Sequence, residues 1–354
     1  MRVLARPAFR NRLQNPYNAL IYDAMLGQGA QVSEYYGGRW LTARHDVFHV
    51  HWPESVFNHN LIGAWLNSQT LLTAMDRLRS QGTRCIWTAH NLAAHERRSP
   101  RAEARAWRAF TARLDGFVSL TEHGLTAVRE RFPELRAVPG FVVAHPHFRG
   151  AYPDNVSRAE ARAALSIPAD ARVITYLGRI YAYKNVPELV RAFGQLQDTD
   201  TRPLRLLVAG QPRSAELAAE VVAARAADER VLLSLRHIAT EELQLFLRAA
   251  DLVVLPYREI FNSGSALLAL SFDRPVLMPR GPTALDLQAS CGADLVHVYD
   301  ELSPAVLRAA LRHAETLPER AMTGFLAARD PQQIAAETLA AFAAVMAQKT
   351  KAVR

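Results

Sequence analysis

The stretch 251–279, DLVVLPYREIFNSGSALLALSFDRPVLMP, decides the fold class of this chain. Residues 252–255 form a short apolar run that predicts a buried strand. An apolar helix is predicted over 266–272, and a second buried strand opens at Pro275. A strand, a helix and a strand in this order form a βαβ unit, which is the building block of a parallel sheet.

The polar turn at Asn262, Ser263, Gly264 and Ser265 opens this helix and predicts an anion site. The first N–H groups of a helix have no intrahelical partner and lie at the positive end of the helix dipole, so they bind phosphate groups. Glycine allows a ligand to approach the backbone closely. An ordinary helix start capped by Ser263 would have the same sequence, and the phosphate interpretation therefore depends on the rest of the chain.

The composition is that of an ordinary globular protein of two domains. The chain has 354 residues, of which 49% are hydrophobic and 21% charged. No apolar run reaches 18 residues, and MRVLARP at the start has no apolar signal region, so we expect neither a transmembrane helix nor a signal peptide. Cys85 and Cys291 are far apart in apolar surroundings, which predicts buried thiols in a reducing cytoplasm.

Strands and helices alternate along the whole chain, which predicts an α/β fold with two doubly wound parallel-sheet (Rossmann-like) domains. The polar segment 147–157 fits a linker. We therefore expect domains at 1–150 and 151–330, a C-terminal helix in 331–354 that crosses back to the first domain, and an active site in the interdomain cleft. Strands are predicted at 2–5, 32–36, 47–50, 84–88, 116–120, 141–144, 173–177, 204–209, 231–233, 252–255, 276–278 and 295–297.

Two cations follow the strand predicted at 173–177. Gly178 allows a tight exit from the strand, and Arg179 and Lys184 come within the next seven residues. Lys184 is one of only three lysines in a chain that otherwise uses arginine. Two cations at a strand end beside the serine turn can neutralise the negative charge of a bound diphosphate. They can also stabilise the charge that develops when the diphosphate departs as a leaving group. The pattern predicts a diphosphate site.

These motifs resemble the donor domain of the group 1 GT-B glycosyltransferases. The resemblance implies the GT-B fold, a nucleotide diphosphate sugar as donor, and no metal or other cofactor. It also implies that His237, Ile238, Tyr257 and Glu259 contact the nucleoside. The residues that carry it are Gly178-Arg179, Lys184-Asn185, Glu188-Leu189 with Ala192-Phe193, Ala250-Asp251, and Pro256-Tyr257.

One position departs from the family pattern. The second glutamate of its E-x7-E motif falls at Leu267 or Leu268, if Glu259 is the first. In this respect the chain is similar to the β-mannosyltransferases that build xanthan-type side chains in exopolysaccharide assembly. That similarity favours GDP-mannose as donor, with a UDP-sugar still open, and it raises inversion at the anomeric carbon as a possibility beside retention.

Polar side chains follow three strands of the first half and predict an acceptor site. A transfer with inversion needs one general base, and Glu54, Glu122 and His90 are the candidates for catalysis. His90 also matches a T-x-H motif whose histidine contacts the donor sugar in related enzymes. A metal site at His49, His51, His90 and His95 is disfavoured, since no cysteine or carboxylate completes it at motif spacing. The predicted acceptor-binding residues are Tyr17, His51, Asn91, Glu96 and His123.

The first half is basic, with 19 Lys and Arg against 11 Asp and Glu in residues 1–150. Arginines surround Trp107 and Phe110, a combination that suits anionic lipid headgroups or the phosphate of a lipid-linked acceptor. An ordinary solvated helix face would also explain them, whereas nucleic acid is disfavoured because no DNA- or RNA-binding motif is present. The arginines concerned are Arg97, Arg98, Arg101, Arg105 and Arg108.

The sequence therefore predicts a cytoplasmic glycosyltransferase, peripheral at the inner face of the cytoplasmic membrane. It would move a sugar from a nucleotide diphosphate sugar to a lipid-linked or oligosaccharide acceptor in polysaccharide biosynthesis. Two alternatives remain at this point: a nucleotide-sugar epimerase with the same two-domain fold, and a non-catalytic partner that only binds a nucleotide sugar.

Overall fold

A computed structural model describes residues 1–36, 38, 43–58, 61–93, 99–197, 201–258, 260–317 and 323–348. His95, Glu96, Arg97, Arg98 and Glu259, which were assigned roles above, lie outside the described residues. Within the described part, twelve strands form two parallel six-stranded sheets, with helices between most pairs of successive strands. This confirms the predicted α/β class.

The strands begin and end close to their predicted positions. They are β1 Arg2–Arg6, β2 Gln31–Glu34, β3 Val47–His51, β4 Arg84–Ala89, β5 Gly116–Ser119, β6 Gly140–Val142, β7 Arg172–Leu177, β8 Leu204–Ala209, β9 Val231–Ser234, β10 Leu252–Val254, β11 Val276–Pro279 and β12 Val296–Tyr299. The helices are α1 Tyr17–Gly27, α2 Glu54–Phe57, α3 Leu61–Ser80, α4 Pro100–Thr111, α5 Glu122–Arg131, α6 Arg158–Ala164, α7 Val186–Gly194, α8 Ala215–Arg225, α9 Leu243–Ala249, α10 Gly264–Ser271, α11 Pro282–Cys291, α12 Pro304–Ala314, α13 Thr323–Ala327 and α14 Pro331–Met346.

The chain divides into two compact units. Unit 1 comprises Met1–Pro146 and Arg329–Arg354, and unit 2 comprises His147–Ala328. Unit 1 contains the sheet β2-β1-β3-β4-β5-β6, and unit 2 contains the sheet β12-β11-β10-β7-β8-β9. In each sheet the strand order reverses once, between β1 and β3 in unit 1 and between β7 and β10 in unit 2. The crevice at such a switch point, at the carboxyl ends of the strands, is where ligands bind in open α/β sheets.

Helix α14 belongs to the core of unit 1 although it comes from the end of the chain. Ile334, Phe342 and Val345 are buried in one cluster with apolar residues of β1, β3 and α1. At Gly116, the first residue of β5, an added Cβ would lie 2.5 Å from a methyl carbon of Val345. Since glycine is the residue that fits there, α14 packs directly against the backbone of the sheet.

In unit 2, Asp251 anchors the amino-terminal end of the sheet, opposite the carboxyl ends of the strands. The residue is buried, and its carboxylate accepts hydrogen bonds from the Val173 backbone N–H at 2.7 Å and from Arg162 at 3.0 Å. It also forms an ion pair with Arg158. Asp251 of the Ala-Asp motif therefore links β7 and β10 to helix α6. It lies at the end of the sheet opposite the Ser-Gly-Ser turn.

Two local predictions were wrong. Residues 121–123 were predicted to lie at the polar end of the strand at 116–120, but helix α5 already starts at Glu122 because the Thr121 hydroxyl caps it, accepting the Gly124 N–H at 2.9 Å. Cys291 ends helix α11 and is only half-buried, whereas Cys85 is buried as expected. In the part of the chain that the structure describes, no helix is long and apolar enough to cross a membrane.

Candidate active site

Two glycines shape the carboxyl ends of β7 and β8 in unit 2. Gly178 has φ +140°, and a Cβ on it would lie 3.5 Å from the Lys184 Nζ and 3.9 Å from the Ser265 Oγ. Gly210 has φ +146°, and its Cβ would lie 1.9 Å from the Gly178 carbonyl oxygen. Neither position tolerates a side chain. The glycines leave open a space that the ammonium of Lys184 and the hydroxyl of Ser265 both face.

Lys184 is a buried cation. Its ammonium lies 5.1 Å from the centre of the Tyr257 ring and 6.0 Å from that of Tyr181. No ion pair involving Lys184 is found among the described residues, and desolvation by burial lowers its pKa to about 8. An isolated buried charge is costly, and an anionic ligand in the space beside Gly178 would offset that cost.

The backbone after Lys184 explains its Lys-Asn motif. Asn185 has φ 53° and ψ 33°, the left-handed conformation that asparagine and glycine adopt most readily. It precedes helix α7, and its side-chain oxygen accepts a hydrogen bond from Arg258 at 3.2 Å. This turn orients Lys184 back toward the strand ends. Glu188, in the first turn of α7, forms an exposed ion pair with Arg191 and lies on the surface.

Arg179 supplies a second, exposed cation at the end of β7. Its guanidinium lies 5.6 Å from the centre of the Tyr181 ring. Its backbone carbonyl accepts a hydrogen bond from the buried Tyr176 hydroxyl at 3.0 Å. The strand exit is thus fixed while the guanidinium is exposed to solvent.

The Ser-Gly-Ser turn starts helix α10 as predicted. Ser263 caps the helix, with its hydroxyl accepting the Ala266 N–H at 3.1 Å. The Tyr257 hydroxyl donates to the Ser265 hydroxyl at 3.2 Å. The Thr283 hydroxyl lies 3.1 Å from the Ile260 carbonyl oxygen and 2.9 Å from the Phe261 carbonyl oxygen. The turn is therefore held from both sides, and the N–H groups of Gly264 and Ser265 come first in the helix, where intrahelical acceptors are lacking.

We call Gly178, Arg179, Lys184, Gly210, Ser265 and the start of α10 the diphosphate cradle, after the ligand that the sequence predicts there. The structure places Tyr257 within it, against Lys184 and Ser265. Asn262 lies half-buried in the turn before α10. His237 and Ile238 follow β9, two strands from β7; the first is exposed and the second buried. Their assignment to the nucleoside stays a prediction.

In unit 1, Glu54 lies at the switch point, at the start of the short helix α2 after β3. Its carboxyl is buried, and one oxygen accepts a hydrogen bond from the Asn91 side chain at 2.7 Å. The other oxygen is buried without a hydrogen-bond partner in the described structure. Desolvation raises the pKa of Glu54 to about 7, and the charge of Glu103 adds to this. A carboxyl that titrates near neutrality suits general acid–base catalysis.

The predicted histidines lie beside Glu54 in a buried cluster. His49 and His51 point to the same side of β3, and His51 hydrogen-bonds His90 at the end of β4 with 2.9 Å between the ring nitrogens. The Trp52 indole stacks on the His90 ring, with 4.3 Å between centroids and 19° between planes. Trp52 has φ 46°, a conformation that costs free energy for a bulky residue and that often marks functional sites.

Tyr17 and Asn91 also join this cluster, whereas Glu122 and His123 do not. The Tyr17 ring meets the His90 ring edge-on at 4.6 Å, and Asn91 donates to Glu54. Glu122 and His123 are exposed in the first turn of α5, and no contact joins them to the cluster within the described residues. Of the three candidates for catalysis, Glu54 and His90 are linked through Asn91, which follows His90 and donates to Glu54, whereas Glu122 lies on the surface.

Comparison with known proteins places the chain in a family. A family model described as glycosyl transferases group 1 matches residues 157–277. The chain is 30% identical over 315 residues to the GDP-mannose:glycolipid 4-beta-D-mannosyltransferase of Xanthomonas campestris pv. campestris, covering 87% of this chain and 82% of the relative. The chain belongs to the group 1 glycosyltransferases. Another relative, a D-inositol 3-phosphate glycosyltransferase of a Mycobacterium species, is 35% identical over 178 residues, or 45% of this chain and 39% of that protein.

Solved structures with the same fold include enzymes of very different sequence. A sucrose-phosphate synthase from Thermosynechococcus elongatus has a TM-score of 0.64 at 17% identity, over 98% of this chain and 96% of its own. A glycosyltransferase from Rickettsia africae has a TM-score of 0.66 at 10% identity, over 98% and 99%. Such low identities show the fold alone, which is GT-B. The predicted family and fold are confirmed, and this protein is a nucleotide-sugar-dependent glycosyltransferase.

A second feature of the glycosyltransferase is the surface between α3 and α4 in unit 1. Helix α4 buries Trp107 and Phe110 and exposes Arg101, Arg105 and Arg108. On α3, Trp65 is 60% exposed and Leu66 52% exposed. The two helices border a groove of about 590 Å³, lined mainly by apolar side chains with Arg101 and Arg105 on one side. We call Trp65, Leu66, Arg101, Arg105 and this groove the α3–α4 surface.

Some residues of the glycosyltransferase's site could not be picked out from the sequence. Gly210 belongs to the diphosphate cradle only because β8 lies beside β7, and Tyr22 contacts the histidine cluster only because α1 packs over β3. A glycine directly after a predicted strand was the available signal for Gly210. No group of three or more His, Cys, Asp or Glu among the described residues could hold a metal ion.

Proposed function

We propose that this glycosyltransferase moves mannose from GDP-mannose to a lipid-linked saccharide, with inversion, at the inner face of the cytoplasmic membrane in exopolysaccharide assembly. The donor and the glycolipid acceptor are those named for the Xanthomonas relative, which matches most of this chain. The observation that carries the proposal is the buried carboxyl of Glu54, with one oxygen unpaired and a pKa raised to about 7. Transfer with inversion in one displacement needs one such base.

In the proposed reaction an acceptor hydroxyl oxygen attacks the anomeric carbon of the donor sugar. The hydroxyl proton passes to the free oxygen of Glu54 as the new C–O bond forms. The bond from the anomeric carbon to the diphosphate oxygen breaks, and GDP leaves with the electron pair. Lys184, Arg179 and the N–H groups at the start of α10 stabilise the negative charge that develops on the diphosphate.

We propose that no metal ion takes part. The support is the diphosphate cradle, which offers two cations and a helix N-terminus to the same ligand. Lys184 is buried without an ion pair among the described residues, and Arg179 is exposed. Together they can neutralise the charge that a divalent cation neutralises in other nucleotide-sugar enzymes.

We propose further that the α3–α4 surface docks on anionic lipid headgroups. An exposed tryptophan and leucine can enter the headgroup region while Arg101 and Arg105 contact phosphates. Each arginine near an anionic membrane contributes about 1 kcal/mol to binding. The arginines together with the apolar groove favour a lipid over a water-soluble saccharide as the occupant of this surface.

Nucleotide release tests the activity. The purified protein is incubated with GDP-mannose or with UDP-sugars, with and without membrane lipid extract, and both GDP or UDP and labelled glycolipid are measured. We expect release of GDP that requires the lipid extract and matches the glycolipid formed. Interconversion of sugars without release would indicate an epimerase, and donor binding without turnover a non-catalytic partner; either result would refute the proposal.

Vesicle sedimentation tests the docking surface. The double variant Trp65→Ser, Leu66→Ser should lose most of its binding to vesicles with anionic lipid. The matched control is Val222→Ser, because Val222 is 52% exposed on helix α8 of unit 2. Wild-type protein should bind neutral vesicles much less than anionic ones. Equal losses in the double variant and in the control would exclude the α3–α4 surface.

A further inference from the structure

Tyr257 joins the two arms of the diphosphate cradle. The centre of its ring lies 5.1 Å from the Lys184 Nζ, and its hydroxyl donates to the Ser265 hydroxyl at 3.2 Å. These three residues come from different elements: Tyr257 follows β10, Lys184 follows β7, and Ser265 lies in the first turn of α10. One side chain therefore contacts the buried cation and the start of the helix at the same time.

The ring of Tyr257 attracts the charged form of Lys184. Among the described residues it is the aromatic ring closest to the ammonium, since that of Tyr181 lies 6.0 Å away, at the limit of cation–π attraction. Burial acts in the opposite direction, because it favours the neutral amine and lowers the pKa of Lys184 to about 8. The ring of Tyr257 therefore offsets part of the free energy that burial of this charge costs.

The other groups around Lys184 supply no negative charge in the described structure. Arg179 carries a like charge and lowers the pKa of Lys184, while Tyr181 raises it. Helix α10 contributes only the uncharged hydroxyl of Ser265. The titratable groups around the ammonium are Arg179, Tyr181, Tyr183 and Tyr257. Ring faces thus take the place that an acidic side chain occupies beside most buried cations.

The hydroxyl of Tyr257 orients that of Ser265. The two hydroxyls have two protons and share one hydrogen bond, and neither makes another within the described residues. If Ser265 donated, the remaining proton would lie on Tyr257, which is buried, and a buried donor without an acceptor is unfavourable. When Tyr257 donates, the remaining proton lies on the half-buried Ser265, whose Oγ faces the space beside Gly178. A phosphate oxygen in that space can accept it.

We propose that Tyr257 is a positioning residue for the donor diphosphate and acts through Lys184 and Ser265. Its ring keeps the ammonium of Lys184 charged beside Gly178, and its hydroxyl directs the Ser265 proton into the same space. Tyr257 is 6% exposed, so it has little surface left for the nucleoside contact that the family resemblance implies.

The two contacts of Tyr257 stand differently toward the proposed function. The effect of the ring on Lys184 belongs to the protein without a ligand and is measured in its absence. The effect of the hydroxyl on Ser265 rests on the proposed function, because it is measured through binding of the nucleotide sugar. The two contacts are therefore tested separately.

NMR of the lysine side chains tests the ring contact without a donor. The chain has only three lysines, Lys184, Lys349 and Lys351, so carbon-13 label at Cε gives three signals, and Lys184→Met assigns that of Lys184. Tyr257→Leu keeps an apolar side chain but removes the ring, and should lower the pKa of Lys184 by about 0.4 to 1.5. Tyr257→Phe keeps the ring and should leave this pKa unchanged. A pKa of Lys184 that stays the same or rises in Tyr257→Leu would overturn the role of the ring.

Tyr181→Leu is the matched control for the ring. Because the Tyr181 ring lies farther from the ammonium, its removal should lower the pKa of Lys184 less than Tyr257→Leu does. The wild-type spectrum gives a second measurement that needs no folded variant. Protons above a ring face resonate upfield, so the ε-protons of Lys184 should lie upfield of their position in protein unfolded by denaturant. Equal effects of the two leucine variants, or no upfield displacement, would contradict the proposal.

Calorimetric titration with GDP-mannose tests the hydroxyl contact. Tyr257→Phe and Ser265→Ala should each weaken binding by about 2- to 12-fold, the contribution of one neutral hydrogen bond. The double variant should bind no more weakly than Ser265→Ala alone, because both changes remove the same contact. Losses that multiply in the double variant would show that Tyr257 does not act through Ser265. Wild-type protein that binds no GDP-mannose would refute the proposed function, and the lysine spectra would still decide the ring contact.

Discussion

The two switch points of this glycosyltransferase are built in opposite ways. In unit 2 the diphosphate cradle presents unpaired charge: two glycines open a space, and a buried lysine faces it without an ion pair among the described residues. In unit 1 the polar groups of the histidine cluster hydrogen-bond one another, and one oxygen of Glu54 is left over. An anion site such as the diphosphate cradle can therefore be built from backbone N–H groups and cations. A proton acceptor such as the free oxygen of Glu54 instead requires that the hydrogen-bond donors around it already have other acceptors.

The largest effect that would test this contrast is the loss of Glu54. Glu54→Gln keeps the shape and the contact with Asn91 but removes the basic oxygen. We expect kcat to fall by about 10²- to 10⁴-fold, the usual contribution of general acid–base catalysis, with donor affinity unchanged. Steady-state kinetics and donor titration measure the two quantities.

The competing variant and the pH profile complete this test. Glu122→Gln should alter kcat by less than severalfold, because Glu122 is exposed on α5. The kcat of the wild-type protein should rise as the pH passes through about 7, where Glu54 loses its proton. A raised carboxyl pKa also means that wild-type stability falls as the pH rises from 4.5 through 7, a fall that Glu54→Gln should lessen. A large effect at Glu122 and none at Glu54 would reverse the assignment.

Gly210 tests whether the cradle depends on backbone contact. Gly210→Ala places a methyl carbon where the Gly178 carbonyl oxygen lies, so β7 and β8 must separate. We expect donor affinity to fall by about 10²-fold, the effect of displacing a binding group by roughly an ångström. Isothermal titration with GDP-mannose measures it, and circular dichroism checks that the variant folds.

The control for this substitution lies in the same unit. Gly281→Ala adds the same methyl group at an extended residue, φ −175°, with no atom within 4 Å. Donor affinity should stay within twofold of the wild type. Equal losses at both glycines would show that the close approach of Gly178 and Gly210 has no special part in binding.

Lys184 tests the charge of the cradle. Lys184→Met keeps most of the volume and removes the cation. Hydrogen bonds to charged groups contribute about 1.5–3 kcal/mol, so we expect donor affinity to fall by roughly 10- to 150-fold. Arg191→Met, which removes an exposed arginine of α7 paired with Glu188, should bind as the wild type does. Donor affinity that survives the loss of Lys184 would move the diphosphate site elsewhere.

The smallest expected effect is the pH dependence of donor binding. Lys184 has a pKa of about 8 in the free protein, and a bound diphosphate favours its charged form. Affinity should therefore fall as the pH rises above about 8, by at most tenfold per pH unit, with proton uptake on binding. Calorimetry in buffers of different ionisation enthalpy measures the uptake. Lys184→Met should show neither the pH dependence of donor affinity nor the proton uptake. Donor affinity of the wild-type protein that does not change with pH would contradict the lowered pKa of Lys184.

The parts of the site that local sequence specifies could be predicted. The serine turn, Gly178 and the two cations each act through neighbouring residues, and the apolar runs that alternate with helices specify the sheets. Contacts between distant segments could not. Gly210 is required because two strand ends touch, and Tyr22 bridges His49 and His51 because α1 lies over β3. Glu122 was misplaced because the capping by Thr121 was missed.

Helix α14 is synthesised later than the sheet that it covers. Its Val345 closes over Gly116 of β5, and its Phe342 meets the His49 ring edge-on at 4.8 Å. A ribosome produces residues 1–146 before unit 2, and it produces this helix only after unit 2. During that interval the apolar floor of unit 1 has no cover, and the nascent sheet is exposed to aggregation or to chaperones. A helix that is synthesised after unit 2 therefore completes the core of a sheet that is synthesised before unit 2.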